Sequence, residues 1–328
     1  MIAFLVSAIN ICMVFLYGCI GETITEKSGH LNLGIPGIMC MGTLGGAFGV
    51  QIYMNSLSDP QNASFILLLL CALAMSMIVA AIGGLIYAFL TVTLRSNQNI
   101  TGLALTTFGA GVTDFFMTTI DKSRFAVASK LIKTSLVDAI PALKNLGWFA
   151  DIFLSHGILV YIAIALAIVV AWFMRKTRVG LNLRAIGESP ATADAAGLNV
   201  SAYKYSAVLI GAAIAGIGGL FYVMDSSAGS WENSSTISAF GWLAIALVIF
   251  AIWRTDFAIL GSFIFGLLYV FNSYSSLFGI TTSLAGRELL KLLPYVVTLI
   301  VLIVTSIVGK KETQPPSSLG LNYFREDR

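Results

Sequence analysis

Ser189, Pro190 and Gly197 stand at the spacing that starts and stops a helix of about two turns, inside RKTRVGLNLRAIGESPATADAAGLNV at residues 175–200. A serine hydroxyl accepts from a free first-turn amide, proline has the φ of the first helical position, and glycine takes the left-handed conformation past the end. Arg175, Lys176, Arg178 and Arg184 lie in the same stretch. Each would cost about 2.5 to 3.5 kcal/mol at a bilayer centre, so the stretch belongs in water. A helix this short is not stable alone. Its chemistry is recognition: the small-faced segment 191–196 is built to dock into a partner.

Covalent chemistry has little to work with. No G-x-x-x-x-G-K-[ST] run exists to cradle nucleotide phosphates. His30 and His156 are the only histidines and lack the paired spacing of a metal site, so neither a metal nor a catalytic residue is expected. Asp114 is the clearest carboxylate inside an apolar run, a functional candidate by default. A proton relay needs several such groups in series, and the apolar runs do not supply them.

A second polar stretch, GETITEKSGHLNLGIPGIMCMGTLGGAFG at residues 21–49, starts with Glu22, Glu26 and Lys27 and passes through Gly29, Asn32, Gly34, Pro36 and Gly37. That density of Gly and Pro predicts irregular backbone leading into the second span, tolerated in lipid only beside protein or a water-filled cavity. Broken helices often border a transporter's substrate path, which makes Asn32, Gly34 and Gly37 path candidates. Asn97, Asn99 and Thr101 in the connector RSNQNIT, with Thr106 and Thr107 beyond it, add amides and hydroxyls to the set. The commoner roles for such residues are satisfying turn backbone and bonding back to their own helix. Gly42, Gly45, Gly46 and Gly49 read first as helix packing positions.

Membrane helices carry these residues. The chain has 328 residues, 57% hydrophobic and only 11% charged, with mean hydropathy +0.89. A soluble domain carries about 25% charged residues. The composition therefore defines an all-α polytopic membrane protein. The expected spans are about nine (eight to ten): 2–20, 36–54, 65–94, 100–120, 156–174, 203–224, 237–252, 256–275 and 289–308, the seventh short enough to be re-entrant. The run before Gly21 has no charge, no basic n-region and no cleavage site, and reads as a retained first helix. Residues 82–90 (IGGLIYAFL) and 260–268 (LGSFIFGLL) echo one another on the third and eighth spans, which suggests an inverted repeat. Cys12, Cys19, Cys40 and Cys71 all fall in apolar runs and read as buried small hydrophobes.

Basic residues near span ends prefer the cytoplasm. With 175–200 inside, alternation also puts Lys27, Arg95, Lys204, Arg254, Lys310, Lys311, Arg325 and Arg328 inside. The 19 basic residues then divide 12 inside to 7 outside, with the N-terminus outside and the C-terminus inside. The membrane domain is 1–308, with an external loop at 121–155 whose Val127, Leu131, Leu136 and Ile140 could line an interfacial helix or a landing surface. Residues 309–328, containing Pro315-Pro316-Ser317-Ser318, read as a disordered cytoplasmic tail.

Two of these stretches carry a family resemblance. GETITEKSGHLNLGIPGIMCMG resembles the E-x-SG-x-x-NLG-x-x-G-x-M signature of permease subunits of nucleoside-type ABC importers, within the ribose and branched-chain amino-acid permease superfamily. LNLRAIGESPATADAAGLNV is similar to that superfamily's RA-x-G-x-N-P-x-A-A-x-x-A-G-x-x-V coupling loop, and 148–162 and 243–253 also look family-like. Together these cover most of residues 20–300. Ser189 replaces the usual Asn but keeps the cap; Pro36 stands where an acidic residue is common, which leaves the substrate more open.

The resemblance implies a multi-pass protein of the bacterial cell membrane that works by alternating access and binds no cofactor itself. Partner ATPase subunits would consume ATP-Mg and grip Arg184, Glu188, Ser189, Pro190, Ala193, Asp194, Ala195, Ala196 and Gly197. A second permease subunit, a paralogue rather than an identical copy, would complete the path, and an external substrate-binding lipoprotein would deliver the substrate. The alternatives are an ABC permease for a sugar such as ribose or for branched-chain amino acids, and, in a different class, a stand-alone secondary transporter. Nucleic acid is not an expected partner.

Overall fold

The computed structural model describes residues 1–139, 147–279, 283–308 and 314–324. Among them every regular element is helical: α1 (Ile2–Lys27), α2 (Ile35–Asn55), α3 (Phe65–Ala88), α4 (Gln98–Met117), α5 (Lys122–Ala139), α6 (Trp148–Phe153), α7 (Ile158–Lys176), α8 (Arg178–Glu188), α9 (Pro190–Ala195), α10 (Val200–Phe221), α11 (Ser235–Phe250), α12 (Thr255–Tyr274), α13 (Leu284–Leu290) and α14 (Leu293–Val308). Seven are long and apolar enough to cross a bilayer: α1, α2, α4 and α7, together with α3, α10 and α12 and their continuations to Thr93, Ser226 and Phe278. The expected seventh and ninth spans fall on α11 and α14, each of 16 residues and short of the roughly 20 that a perpendicular crossing needs.

The core forms where small residues let backbones approach. On α10, Gly211, Ala212, Ala215, Gly216 and Gly219 are buried against α1, α2 and α3. A Cβ on Gly42 of α2 would lie 2.2 Å from the Gly216 Cα, so neither position admits a side chain. Gly45 and Gly49 face α3 in the same way, which accounts for the glycine spacing by packing. Beside this seam, Phe240 of α11 packs edge-on to Phe15 at 5.5 Å, Tyr222 at 5.0 Å and Tyr269 at 5.3 Å, joining α11 to α1, α10 and α12. The outer face of α3 exposes Ile66, Leu67, Leu70, Ile78 and Ile82, an apolar surface suited to lipid.

Four expectations need correction. The first span does not end near residue 20: helix continues to Lys27, so Glu22 and Glu26 lie inside α1, 0% and 2% exposed, and only 28–34 is irregular. Within the stretch 121–155, the described residues form α5 and α6 rather than an open loop. Helix α5 buries Phe125, Ala128, Ser129 and Ile132, with Ser129 donating to the Met224 carbonyl at 2.5 Å. That face differs from the expected one; Val127 and Leu131 are half-buried, and Ile140 lies outside the described residues. The segment after Lys176 holds two helices rather than one, because Thr177 accepts from the Gly180 amide at 3.0 Å and starts α8. Finally, residues 314–324 of the expected disordered tail pack against the helices: Ser318 donates to the Gly187 carbonyl at 2.6 Å, and Asn322 to that of Arg95 at 2.6 Å. Leu319 and Tyr323, both half-buried, give this segment apolar surface to pack against the helices.

Candidate functional site

The short helix α9 is closed at both ends by its own residues. Ser189 Oγ accepts from the Thr192 amide at 3.3 Å, and Pro190 occupies the first turn. Gly197, at φ +85°, donates to the Asp194 carbonyl at 2.9 Å, and Leu198 donates to that of Ala193 at 3.1 Å. This pair of bonds satisfies the last carbonyls and turns the chain toward α10. Ala193 is 5% exposed and packs with Ile186 and Val200, so it anchors the helix to α8 and α10. Ala195, Ala196 and Gly197 face outward, and a Cβ at Gly197 would meet nothing within 4 Å. The result is a small-residue knob held by a small apolar foot.

The remaining coupling candidates surround it. Arg184 and Glu188 are exposed; the Glu188 carboxylate accepts from Ser317 Oγ at 2.9 Å, and Asp194 accepts from the Tyr323 hydroxyl at 2.7 Å. The C-terminal segment therefore touches both α8 and α9. Nearby, Asp256 pairs with Arg175 at 2.5 Å and Arg254 at 2.9 Å, tying the end of α7 to the start of α12.

The path candidates do not converge on one cavity. Asn32 is fully buried; its Oδ1 accepts from the Gly34 amide at 2.9 Å and its backbone N–H donates to Glu22 Oε1 at 3.0 Å. Gly34 and Gly37 are pressed against α4, where a Cβ on Gly37 would meet the Leu105 carbonyl at 2.4 Å. Thr106 donates to the Leu33 carbonyl at 2.8 Å. Asn97 caps α4 by accepting from the Ile100 amide at 3.1 Å, and Thr101 is buried. Asn99 and Thr107 are exposed, with Thr107 bonding back to Leu103 at 3.3 Å. Within the irregular segment 28–34 the Leu31 backbone is satisfied by protein: Gln98 accepts from Leu31 N at 2.8 Å, and the Tyr87 hydroxyl donates to the Leu31 carbonyl at 2.7 Å. Asp114 is likewise satisfied, taking the Ser234 amide at 2.8 Å and hydroxyl at 2.6 Å.

Sequence reasoning missed several contributors. Trp253 donates its indole N–H to Glu26, linking the end of α11 to α1. Two acids four residues apart at the end of an uncharged run were the available signal for a buried polar junction. His30, 2% exposed, lies in the irregular segment, and burial together with the Lys204 ammonium lowers its pKa to about 3. Among the described residues no group of three His, Cys, Asp or Glu side chains could hold a metal ion, and Cys12, Cys19, Cys40 and Cys71 are free thiols.

The helices long and apolar enough to cross a bilayer define a multi-pass membrane protein. Residues 4–304 match the branched-chain amino acid transport system / permease component family, and the chain belongs to it. Among its relatives, the putative glucose ABC transporter permease TsgC13 of Haloferax volcanii is 28% identical over 98% of this chain and 97% of its own length. The nucleoside ABC transporter permease NupC of Lactococcus lactis is 28% identical over 94% of this chain and 93% of its own. The guanosine ABC transporter permease NupQ of Bacillus subtilis is 28% identical over 94% and 92%. No solved structure matches the chain at a comparable level.

Proposed function

We propose that this chain is a translocating subunit of an ATP-driven ABC importer for nucleosides. The observation that carries the reading is α9: a helix capped by Ser189 and Gly197, footed on Ala193, and presenting the small residues Ala191, Thr192, Ala195, Ala196 and Gly197 outward. Such a knob fits a cleft on a separate subunit, and the chain carries no phosphate-cradling motif of its own. ATP-Mg is then bound and hydrolysed by partner ATPases, whose closure pushes α9 and α8 against α10. The α9 end faces the cytoplasm, in keeping with Lys27, Arg95, Arg175, Lys176, Arg178, Arg184 and Arg254 near it, and leaves the N-terminus outside and the C-terminus inside. A second permease, a paralogue, completes the pathway beside an external substrate-binding lipoprotein. Nucleosides are favoured by the NupC and NupQ relatives; glucose is the second reading because TsgC13 is equally similar.

The test is reconstitution of the chain with its ATPases, companion permease and binding lipoprotein in liposomes. Ala195→Arg leaves insertion intact, because the site is exposed, and abolishes ATP-dependent uptake of labelled guanosine. Normal uptake by that variant, or uptake by the wild-type chain in liposomes without any ATPase subunit, would overturn the coupling reading. Uptake of labelled glucose unaffected by excess guanosine would select the sugar.

A further inference from the structure

At the α9 end a pocket of about 420 Å³ is lined by His30, Arg95, Asp194, Ser201, Lys204 and Asn322, among others. Lys204 is 2% exposed, and among the described residues no carboxylate or carbonyl pairs with its ammonium. A buried ammonium without a counter-ion is strongly unfavourable, so this position calls for an anion. His30, also 2% exposed, has no partner for either ring nitrogen. Lys204 sits in the opening turns of α10, whose 22 residues direct their positive end at the same space. There Asn199 Oδ1 takes the Ala202 amide at 3.0 Å and leaves those of Val200 and Ser201 free among the described residues. Asp194 is the one acid among the lining residues, and its carboxylate accepts the Tyr323 hydroxyl.

We propose that this pocket binds the phosphate group of a small anion, held by the Lys204 ammonium, the first amides of α10 and the His30 ring, with Arg95 on the facing wall. Donors from several directions suit a tetrahedral anion with many acceptor oxygens better than a planar carboxylate or a halide. The phosphate belongs either to a soluble compound or to a lipid headgroup. The pocket joins the chain just beyond α3 (Thr91, Val92 and Arg95), the 28–34 segment, the α9–α10 turn and the C-terminal segment, so an occupant would bridge all four. Binding does not depend on the transport reading, since it is measured on this chain alone.

The experiment uses the full chain in phosphatidylcholine nanodiscs, titrated with inorganic phosphate by calorimetry and by thermal unfolding, against acetate and chloride at equal ionic strength. Phosphate is expected to bind and raise the unfolding midpoint, and Lys204→Met to weaken binding on the order of tenfold or more. Lys204→Arg retains binding, and Lys204→Met without phosphate is at least as stable as wild type. His30→Gln provides a second weakened variant should Lys204→Met not fold. In phosphatidylglycerol nanodiscs, stabilisation that requires Lys204 and leaves free phosphate without effect assigns the site to a headgroup; its absence beside phosphate binding assigns a soluble ligand. Phosphate affinity unchanged by both variants, acetate binding as tightly as phosphate, or no Lys204-dependent stabilisation from either source overturns the proposal.

Discussion

The Tyr323 hydroxyl donates to the Asp194 carboxylate at 2.7 Å across 129 residues of sequence, fastening the C-terminal segment to α9. Ser317 does the same for Glu188 at the end of α8. Both contacts lie on parts that must shift together if α9 is pushed, so the segment works as a splint between α8 and α9.

Tyr323→Phe removes one hydrogen bond to a charged, half-exposed acceptor, worth about 1 kcal/mol after allowing for solvent. Amide hydrogen exchange at residues 193–198 is expected to quicken about fivefold, because 1 kcal/mol changes an opening equilibrium by that factor. The helices of the core, remote from this contact, keep their protection. Unchanged exchange at 193–198 would show that the apolar foot at Ala193 alone holds α9.

Two glycines separate a packing requirement from an open position. Gly42→Ala drives a methyl group into the Gly216 backbone, 2.2 Å away, with no flexible side chain to yield. Overpacking of this kind costs about 1 to 3 kcal/mol, and the unfolding midpoint in detergent falls accordingly. Gly111→Ala, with nothing within 4 Å, leaves the midpoint unchanged or raises it, since alanine favours helix by about 0.5 to 1 kcal/mol. Equal effects at the two sites would contradict the α2–α10 seam.

What the sequence made legible, and what it hid, follows from range. The caps of α9 were readable because Ser189, Pro190 and Gly197 act on backbone within a few residues of themselves. The spans were readable because burial in lipid imposes a length on apolar runs. Glu22 and Glu26 were misplaced because their partners, Asn32 and Trp253, include one 227 residues distant, and an acid next to a basic residue reads locally as a helix end. The C-terminal segment was misread because the composition of Pro315-Pro316-Ser317-Ser318 outweighed the bonds that Ser318, Gly320, Asn322 and Tyr323 make to Gly187, Gly29, Arg95 and Asp194, all distant in sequence. Thr106 donates to the Leu33 carbonyl and Gly34 is pressed against α4, contacts across about 70 residues that local patterns do not reveal.

Trp253→Phe tests the buried junction directly. The substitution keeps the ring but strips the indole N–H from Glu26, which is 2% exposed, and leaves a buried carboxylate short of a donor. The expected loss is about 1 to 3 kcal/mol, more than for removal of an exposed partner. Pairing it with Glu26→Leu removes the stranded acceptor as well and recovers part of the stability, so the double variant unfolds at a higher temperature than Trp253→Phe alone. Additive losses would mean that the two residues act independently.

His30 gives the fold a dependence on pH with a definite sign. Its ordinary pKa near 6.5 falls to about 3 in the folded chain, through burial and the nearby Lys204 ammonium. The folded state therefore keeps the ring neutral while the unfolded chain takes up a proton below pH 6.5. Stability is fully present above that value and is lost as pH falls toward 3, at up to about 1.4 kcal/mol per pH unit. Unfolding midpoints of the purified chain in phosphate-free buffers should decline between pH 6.5 and 5. His30→Gln removes the titrating ring, so its midpoints decline less over the same interval. Parallel curves for the two proteins would place the titration elsewhere and leave His30 without an electrostatic role in the fold.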